Sequence, residues 1–128
     1  MLGSVLSISV GAALGALLRW VLAVRFNPSY PDLPLGTLAA NLIGGYLIGL
    51  AVGYFADRPD LPPEIRLFVV TGFLGGLTTF STFSAEVVMQ IHEARLLGAF
   101  TTAMVHMIGS FTLTALGIWT VHALRQSP

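Results

Sequence analysis

A short stretch of the sequence, residues 75–86, reads GGLTTFSTFSAE and is rich in hydroxyl groups within an otherwise apolar segment. Serine and threonine hydroxyls can donate hydrogen bonds to an anion, and the electropositive edge of a phenylalanine ring can approach one. Because hydroxyls and rings alternate here, we expect Phe80, Ser81, Thr82 and Phe83 to face one path suited to a small anion. The alternative for the two phenylalanines is ordinary packing or lipid contact.

Two further polar side chains, Asn41 and Glu86, lie inside apolar segments. An amide in the middle of a membrane helix needs a partner on another helix or a polar pathway, and we favour the pathway for Asn41. A carboxylate inside a membrane segment is by default a candidate functional residue. Glu86 also stands close to Gln90, His92 and Glu93, so the alternative is that it reaches the water interface.

His106, Ser110 and Thr114 are spaced four residues apart, which places them on one face of a helix. Hydroxyl groups alone are weak indicators, because they commonly bond to the carbonyl one turn back. With the imidazole included, the pattern favours a solvated track along this helix.

The composition places these side chains in a membrane protein. The chain has 128 residues, of which 55% are hydrophobic and 9% charged, with a mean hydropathy of +0.82 and no cysteine. Four apolar segments are each long enough to cross about 30 Å of hydrocarbon: residues 3–24, 35–56, 65–92 and 98–124. Three short links leave no room for a soluble domain: residues 25–34, 57–64 and 92–97.

We therefore predict an all-α membrane protein with four transmembrane helices in one domain, residues 1–128. The first segment lacks a positive amino-terminal region and a small-residue cleavage site, so we expect a retained helix and not a signal peptide. The formal net charge of zero gives no basic surface for nucleic acid, and no nucleophile–base pair or metal-ligand cluster indicates an enzyme.

The third segment is longer than one crossing needs, and its Gly75-Gly76 pair precedes the hydroxyl-rich run. Both features weaken a continuous helix, so we predict a broken helix near this pair. A break within a membrane requires that the freed backbone groups face protein or a wet cavity. The stretch should therefore face inward.

Small or short polar residues repeat every four positions on the first two helices: Gly3, Ser7, Gly11 and Gly15, then Thr37, Asn41, Gly45, Gly49 and Gly53. For the glycines this spacing predicts close helix packing of the small-xxx-small type.

The arginines are balanced across the predicted membrane. Three lie on the side of the termini, Arg58, Arg66 and Arg125, and three lie opposite, Arg19, Arg25 and Arg95. Without a positive-inside bias the chain should insert in both orientations. An antiparallel homodimer would then join two copies of the broken helix around a two-fold axis in the membrane plane.

Three segments carry a family resemblance: GALLRW at 15–20, GTLAANLIGGY at 36–46 and TGFLGGLTTFSTFSAE at 71–86. Together with the polar fourth helix, they resemble the Fluc, or CrcB, family of small dual-topology fluoride channels. The resemblance covers nearly the whole chain. It implies an antiparallel homodimer with two fluoride pores in the bacterial inner membrane, which exports fluoride passively and protects the cell from it.

The same resemblance implies roles for individual residues. It places Phe80 and Phe83 on the pore lining, Asn41 on the fluoride path, and Ser110 and Thr114 on a polar track near Ser81 and Thr82. It also implies a structural sodium ion at the dimer centre, held by the backbone carbonyls of Gly75 and Thr78 from both subunits. Arg19 belongs to the family pattern without an assigned role, and His106 is not matched to a family position.

Two other functions stay open at this point. A small proton-coupled multidrug or organic-cation exporter would use one membrane carboxylate, and Glu86 could be that acid. Such a site needs aromatic faces around a cation, whereas this chain concentrates hydroxyls and an amide, which are donors for anions. The third candidate is a non-transporting subunit whose polar residues only join helices.

Overall fold

The computed structural model describes residues 1–127, and these contain four helical stretches long and apolar enough to cross a membrane. Their bounds are Leu2–Ser29, Leu35–Ala56, Pro63–His92 and Leu96–Gln126. The predicted four-helix membrane architecture is confirmed, and the chain is a multi-pass membrane protein.

Prolines set the ends of several helices. Helix α1 covers Leu2–Phe26 and passes into a 3-10 turn at Asn27–Ser29, and helix α2 covers Leu35–Ala56 after the extended residue Pro34. The third crossing begins with Pro63, whose missing N–H costs nothing in a first helical turn.

The third crossing is divided into two helices. Its first half, α3 (residues 63–77), contains the α-helical turn Pro63–Arg66, the π-helical stretch Leu67–Leu74 and the α-helical turn Gly75–Leu77. The second half, α4, is Phe80–His92, and the last helix, α5, is Leu96–Gln126. The π-helical stretch was not predicted from the sequence; such turns are rare and often lie at functional sites.

The predicted break is present, but it lies just after the glycine pair. Thr78 (φ −81°, ψ 154°) and Thr79 (φ −149°, ψ 116°) are extended, whereas Gly75 and Gly76 remain helical. Gly76 serves close packing instead, because a Cβ there would meet the Ala12 carbonyl and come within 3.0 Å of the Ala16 amide nitrogen. Helix α3 can therefore lie directly against α1.

Close packing by glycine also joins α2 to α5. A Cβ on Gly117 would lie 2.8 Å from the Leu50 amide nitrogen and 2.9 Å from the Gly49 Cα, both backbone atoms that cannot rotate away. The close packing predicted for the glycine stripes is confirmed at Gly11 and Gly15 against α3 and at Gly49 against α5, whereas a Cβ at Gly3 would have no contact nearer than 3.7 Å. Many large apolar side chains on the outer surface stay exposed, as on helices that face lipid.

Ionic contacts hold the links outside the membrane-spanning segments. Arg95 pairs with Asp32 at 2.6 Å and with Glu93 at 2.6 Å, which ties the first link to the turn between α4 and α5. The hydrogen bond to the Glu93 carboxylate raises the pKa of Arg95, so this residue stays charged. On the other side, Arg125 pairs with Asp57.

Candidate functional site

Asn41 on α2 holds the break of the third crossing. Its Nδ2 donates to the Thr79 carbonyl at 3.0 Å, and its Oδ1 accepts from the Thr79 amide at 2.8 Å. Both backbone groups of Thr79 would otherwise lack partners where the helix is interrupted. The polar partner predicted for Asn41 is the backbone of Thr79. The two hydrogen bonds replace those that a continuous helix would make.

The same amide contacts His106 on α5. Asn41 Nδ2 lies 3.1 Å from His106 Nδ1, and the imidazole packs on the Phe83 ring with centroids 4.5 Å apart and an interplanar angle of 30°. His106 is only 3% exposed. Side chains from α2, α4 and α5 therefore meet at one level of the bundle.

Thr79 caps the amino terminus of α4. Its hydroxyl accepts from the Thr82 amide at 3.1 Å and donates to the Thr82 hydroxyl at 3.0 Å. Thr79 was missed as a site residue from the sequence. A threonine just before a resumed helix, in the N-cap position where its hydroxyl can accept from the amide three residues later, was the available signal.

A groove of about 690 Å³ opens on the side of the break. Six of the predicted pathway side chains line it: Asn41, Phe80, Phe83, His106, Ser110 and Thr114. The two phenylalanines differ sharply, because Phe80 is 79% exposed in the single chain while Phe83 is 9% exposed. Their ring centroids lie 5.7 Å apart at an interplanar angle of 66°, an edge-to-face contact.

The hydroxyl track on α5 borders this groove as expected. Ser110 is half-buried there, and Thr114 donates to the Gly45 carbonyl of α2 at 2.9 Å. Three predicted pathway residues are not among the groove-lining side chains. Ser81 is exposed, Thr82 is bound to Thr79, and Glu86 lies farther along α4.

Glu86 contacts α2 through a single hydrogen bond. Its Oε1 accepts from the Thr37 hydroxyl at 2.6 Å, and Thr37 is 2% exposed. The carboxylate is held within the helix bundle and does not extend to water, and among residues 1–127 its Oε2 has no hydrogen-bond partner. Thr37 was counted in the sequence only as a member of a stripe, so its link to Glu86 was missed.

Two carbonyl oxygens just before the break accept hydrogen bonds. Thr78 donates from both its amide and its hydroxyl to the Leu74 carbonyl, at 3.0 and 2.8 Å, and Arg19 Nε donates to the Gly76 carbonyl at 3.0 Å. Gly75 and Thr78 line the groove. Within the described part of the chain, no group of three His, Cys, Asp or Glu residues could hold a metal.

The fold and site thus define a multi-pass membrane protein with polar side chains gathered around a broken helix. The family described as "CrcB-like protein, Camphor Resistance (CrcB)" matches residues 6–118. The chain belongs to this family, as the sequence motifs predicted.

Several relatives are similar over almost their full length. The "Fluoride-specific ion channel FluC" of Burkholderia pseudomallei (strain 668) is 59% identical over 123 residues, which are 96% of each chain. The protein with the same name from Tolumonas auensis is 58% identical over 127 residues, 99% of this chain and 100% of the relative. A Burkholderia thailandensis relative with this name is 58% identical over 123 residues.

Proposed function

We propose that this protein is a fluoride-selective ion channel that exports fluoride passively and protects the cell from fluoride toxicity. The observation that carries the proposal is the groove beside the helix break, where aromatic rings, hydroxyls and an imidazole converge, in a chain whose relatives are named as fluoride-specific channels. These names place the chain among channels and not among enzymes.

The donors in the groove suit a small, strongly hydrated anion. A pore must replace the water around fluoride with several hydrogen bonds, and each must be weak enough for the ion to leave. The hydroxyl of Ser110 and the edges of Phe80 and Phe83 would supply such contacts, whereas the Thr114 hydroxyl donates to Gly45; within residues 1–127 no arginine lines the groove. Asn41 lies on the same path and holds Thr79 in place.

The open side of this groove supports an antiparallel homodimer with two pores. Phe80 is 79% exposed and stands beside polar groups that lipid would leave without hydrogen bonds. A second copy of the chain would cover them. Arg19 bonds to Gly76 inside the protein, which leaves three flanking arginines on one side and two on the other, still too small a difference to fix one orientation.

A structural sodium ion at the dimer centre completes the proposal. Carbonyls of the groove-lining residues Gly75 and Thr78, from both subunits, would hold it. When bound, the ion would supply positive charge to balance the carbonyl oxygens gathered at the two helix breaks.

The exporter alternative is less well supported. Glu86 is bound to Thr37 and is absent from the groove lining, so a cation in the groove would not meet this carboxylate directly. A subunit that only joins helices would need no open groove beside the break.

Fluoride flux from liposomes tests the proposed function. Purified protein in liposomes loaded with potassium fluoride should release fluoride to an electrode once valinomycin carries potassium, with equal pH on both sides. Chloride-loaded liposomes should release much less. Net fluoride movement that requires a proton gradient, or chloride release at the fluoride rate, would reject a fluoride-selective passive channel.

Forced orientation tests the antiparallel dimer separately. Arginines added to the link at 57–64 should fix one orientation and abolish flux. Co-expression with a copy that carries added arginines at 25–34 should restore flux. Full flux from either biased protein alone would favour a parallel assembly.

A further inference from the structure

A second cleft, of about 420 Å³, lies away from the groove, where α2 and α5 end. We call it the terminal cleft. Four charged residues and one leucine line it: Asp57, Arg58, Asp60, Leu61 and Arg125. Two arginines and two aspartates give the lining a net charge of zero, with cationic and anionic groups around the same space. The cleft therefore matches a ligand that carries both charges better than it matches a simple anion or cation.

Hydrogen bonds fix the backbone of the terminal cleft. The Arg58 carbonyl accepts from the Leu61 amide at 3.3 Å and from the Arg66 guanidinium at 3.1 Å, so the link after α2 is held in a turn. On the other wall, Arg125 donates to the Gly53 carbonyl at 2.8 Å. The walls of the cleft are thus in place without a ligand.

Two of the four charges in the terminal cleft are available to a ligand. Asp57 is already paired with Arg125. Among residues 1–127, neither the Arg58 guanidinium nor the Asp60 carboxylate forms an ion pair. Arg58 lies over the Tyr54 ring, 4.4 Å from its centroid, which restricts where the guanidinium can be. Arg58 can donate to a phosphate, and Asp60 can accept from an ammonium group.

The surroundings of the terminal cleft favour a lipid over a soluble ligand. Helix α2 ends at Ala56, and tyrosines such as Tyr54 are enriched where a membrane helix meets water. Val52, Tyr54 and Leu124 are exposed on the last two turns of α2 and α5, which lead to the cleft. A headgroup in the cleft would therefore place its acyl chains against apolar side chains.

We propose that the terminal cleft binds the headgroup of phosphatidylethanolamine, with the phosphate at Arg58 and the primary ammonium group at Asp60. This headgroup carries one negative and one positive charge, which complement the two available side chains. Phosphatidylglycerol would pair with Arg58 but bring its negative charge to Asp60 without an ammonium group. Phosphatidylcholine has no N–H to donate to Asp60. The inference concerns lipid binding and does not depend on which ion the chain conducts.

Lipid competition measured by native mass spectrometry tests the headgroup preference. The purified wild-type protein in detergent receives equal amounts of phosphatidylethanolamine and phosphatidylglycerol with identical acyl chains, so that only the headgroups differ. The ethanolamine lipid should be bound about 3-fold more often, the effect of one additional exposed ion pair. It should also be preferred over phosphatidylcholine in the same assay. Equal or weaker binding of the ethanolamine lipid in either competition overturns the proposal.

Substitutions in the terminal cleft test which side chain meets which charge. Asp60→Asn should abolish the preference for phosphatidylethanolamine over phosphatidylglycerol, and Asp60→Lys should reverse it. Arg58→Gln should weaken binding of all three lipids about 3-fold, because the phosphate is common to them. Glu64→Gln and Arg25→Gln are the matched controls. They remove the same kinds of charge outside the cleft and should bind lipid like the wild type.

The proposal fails if Asp60→Asn keeps the wild-type preference, or if Arg58→Gln binds all three lipids normally. It also fails if the control variants lose as much, since lipid would then respond to the overall charge of the protein. Arg58 and Asp60 are exposed, so the variants should unfold at the wild-type temperature. If one variant does not fold, the competition between lipids on the wild type still tests the headgroup chemistry. Only purified, folded protein is measured, so a changed insertion orientation does not affect the result.

Discussion

The helices of this chain meet through two kinds of interface. In the glycine interfaces, α1 against α3 and α2 against α5, missing side chains let backbones approach: Gly11, Gly15, Gly72, Gly76, Gly49 and Gly117. In the polar interface, where α2, α4 and α5 meet, side chains bond across helices: Thr37 to Glu86, Asn41 to Thr79 and His106, and Thr102 to Gln90.

The glycine interfaces serve helix packing, whereas the polar interface carries the side chains that could contact an ion. The glycine interfaces offer an ion few polar side chains, and their contacts are between backbone atoms. The polar interface holds the helix break, the groove lining and, among residues 1–127, two buried side-chain atoms without a hydrogen-bond partner. Substitutions in the first should lower stability, and those in the second should lower flux.

The largest effect on flux is expected for Asn41→Asp. Aspartate cannot donate to the Thr79 carbonyl or to His106, and when ionised it repels an anion. An uncompensated buried charge costs about 3–5 kcal/mol, so flux should fall at least about 100-fold. The fluoride electrode measures this loss of flux from liposomes.

Gln90→Glu is the matched control for Asn41→Asp. Gln90 is a buried amide of the same polar interface, but it donates to the Asp32 carbonyl and lies away from the groove. It should lose far less flux. Equal losses in the two variants would mean that the Asn41 result reflects only a general cost of burying an acid.

Gly117→Ala should lower the stability of the protein and leave its fluoride flux unchanged. The added methyl group meets backbone atoms of α2 within 2.8 Å, and overpacking of this kind costs about 1–3 kcal/mol. Thermal unfolding in detergent should therefore occur at lower temperature, while molecules that remain folded conduct normally. Gly3→Ala is the control, since its nearest contact is at 3.7 Å. Unchanged stability of Gly117→Ala would contradict the role assigned to the glycine interfaces.

Substitution of either phenylalanine should lower flux, but only one of the two substitutions should also lower stability. Phe80→Ile and Phe83→Ile both lose a ring edge, worth about 0.5–1.5 kcal/mol, and should reduce flux about 2- to 10-fold. Only Phe83→Ile should also lower the unfolding temperature, because Phe83 is buried against His106. Phe100→Ile is the control, since Phe100 is exposed and does not line the groove. Normal flux in both variants would return the rings to a packing role.

The smallest effect, a loss of stability, is expected for Arg19→Met. Loss of the hydrogen bond to the Gly76 carbonyl should cost about 0.5–1.5 kcal/mol of stability. Arg25→Met changes an exposed arginine at the end of the same helix and should cost less. If thermal unfolding does not distinguish the two variants, Arg19 does not stabilise the break.

Much of the architecture could be predicted from the sequence, because hydropathy alone defines the crossings in so apolar a chain. The break was predicted near Gly75 and Gly76 and is found there, but its exact place at Thr78 and Thr79 could not be predicted. Propensity marks Gly75 and Gly76 as weak helix formers, but contact with α1 keeps them helical, and the Asn41 amide moves the break to Thr79.

The sequence predicted which residue types belong to the candidate site, but not which of them contact one another. Asn41, Phe83 and His106 were each expected on a polar path, yet nothing in their spacing showed that they contact one another. Thr37 was read as a small residue because its partner, Glu86, is 49 positions away. Local patterns show which side chains are unusual, and the tertiary fold decides what they bond.

Reversal potentials across a planar bilayer test the central claim most directly, namely that the polar interface forms a passive, fluoride-selective path. With a tenfold fluoride gradient and equal chloride, the current should reverse about 59 mV from zero. The potential should stay there when a pH gradient is added. A reversal potential that moves with the pH gradient or follows chloride would contradict the account.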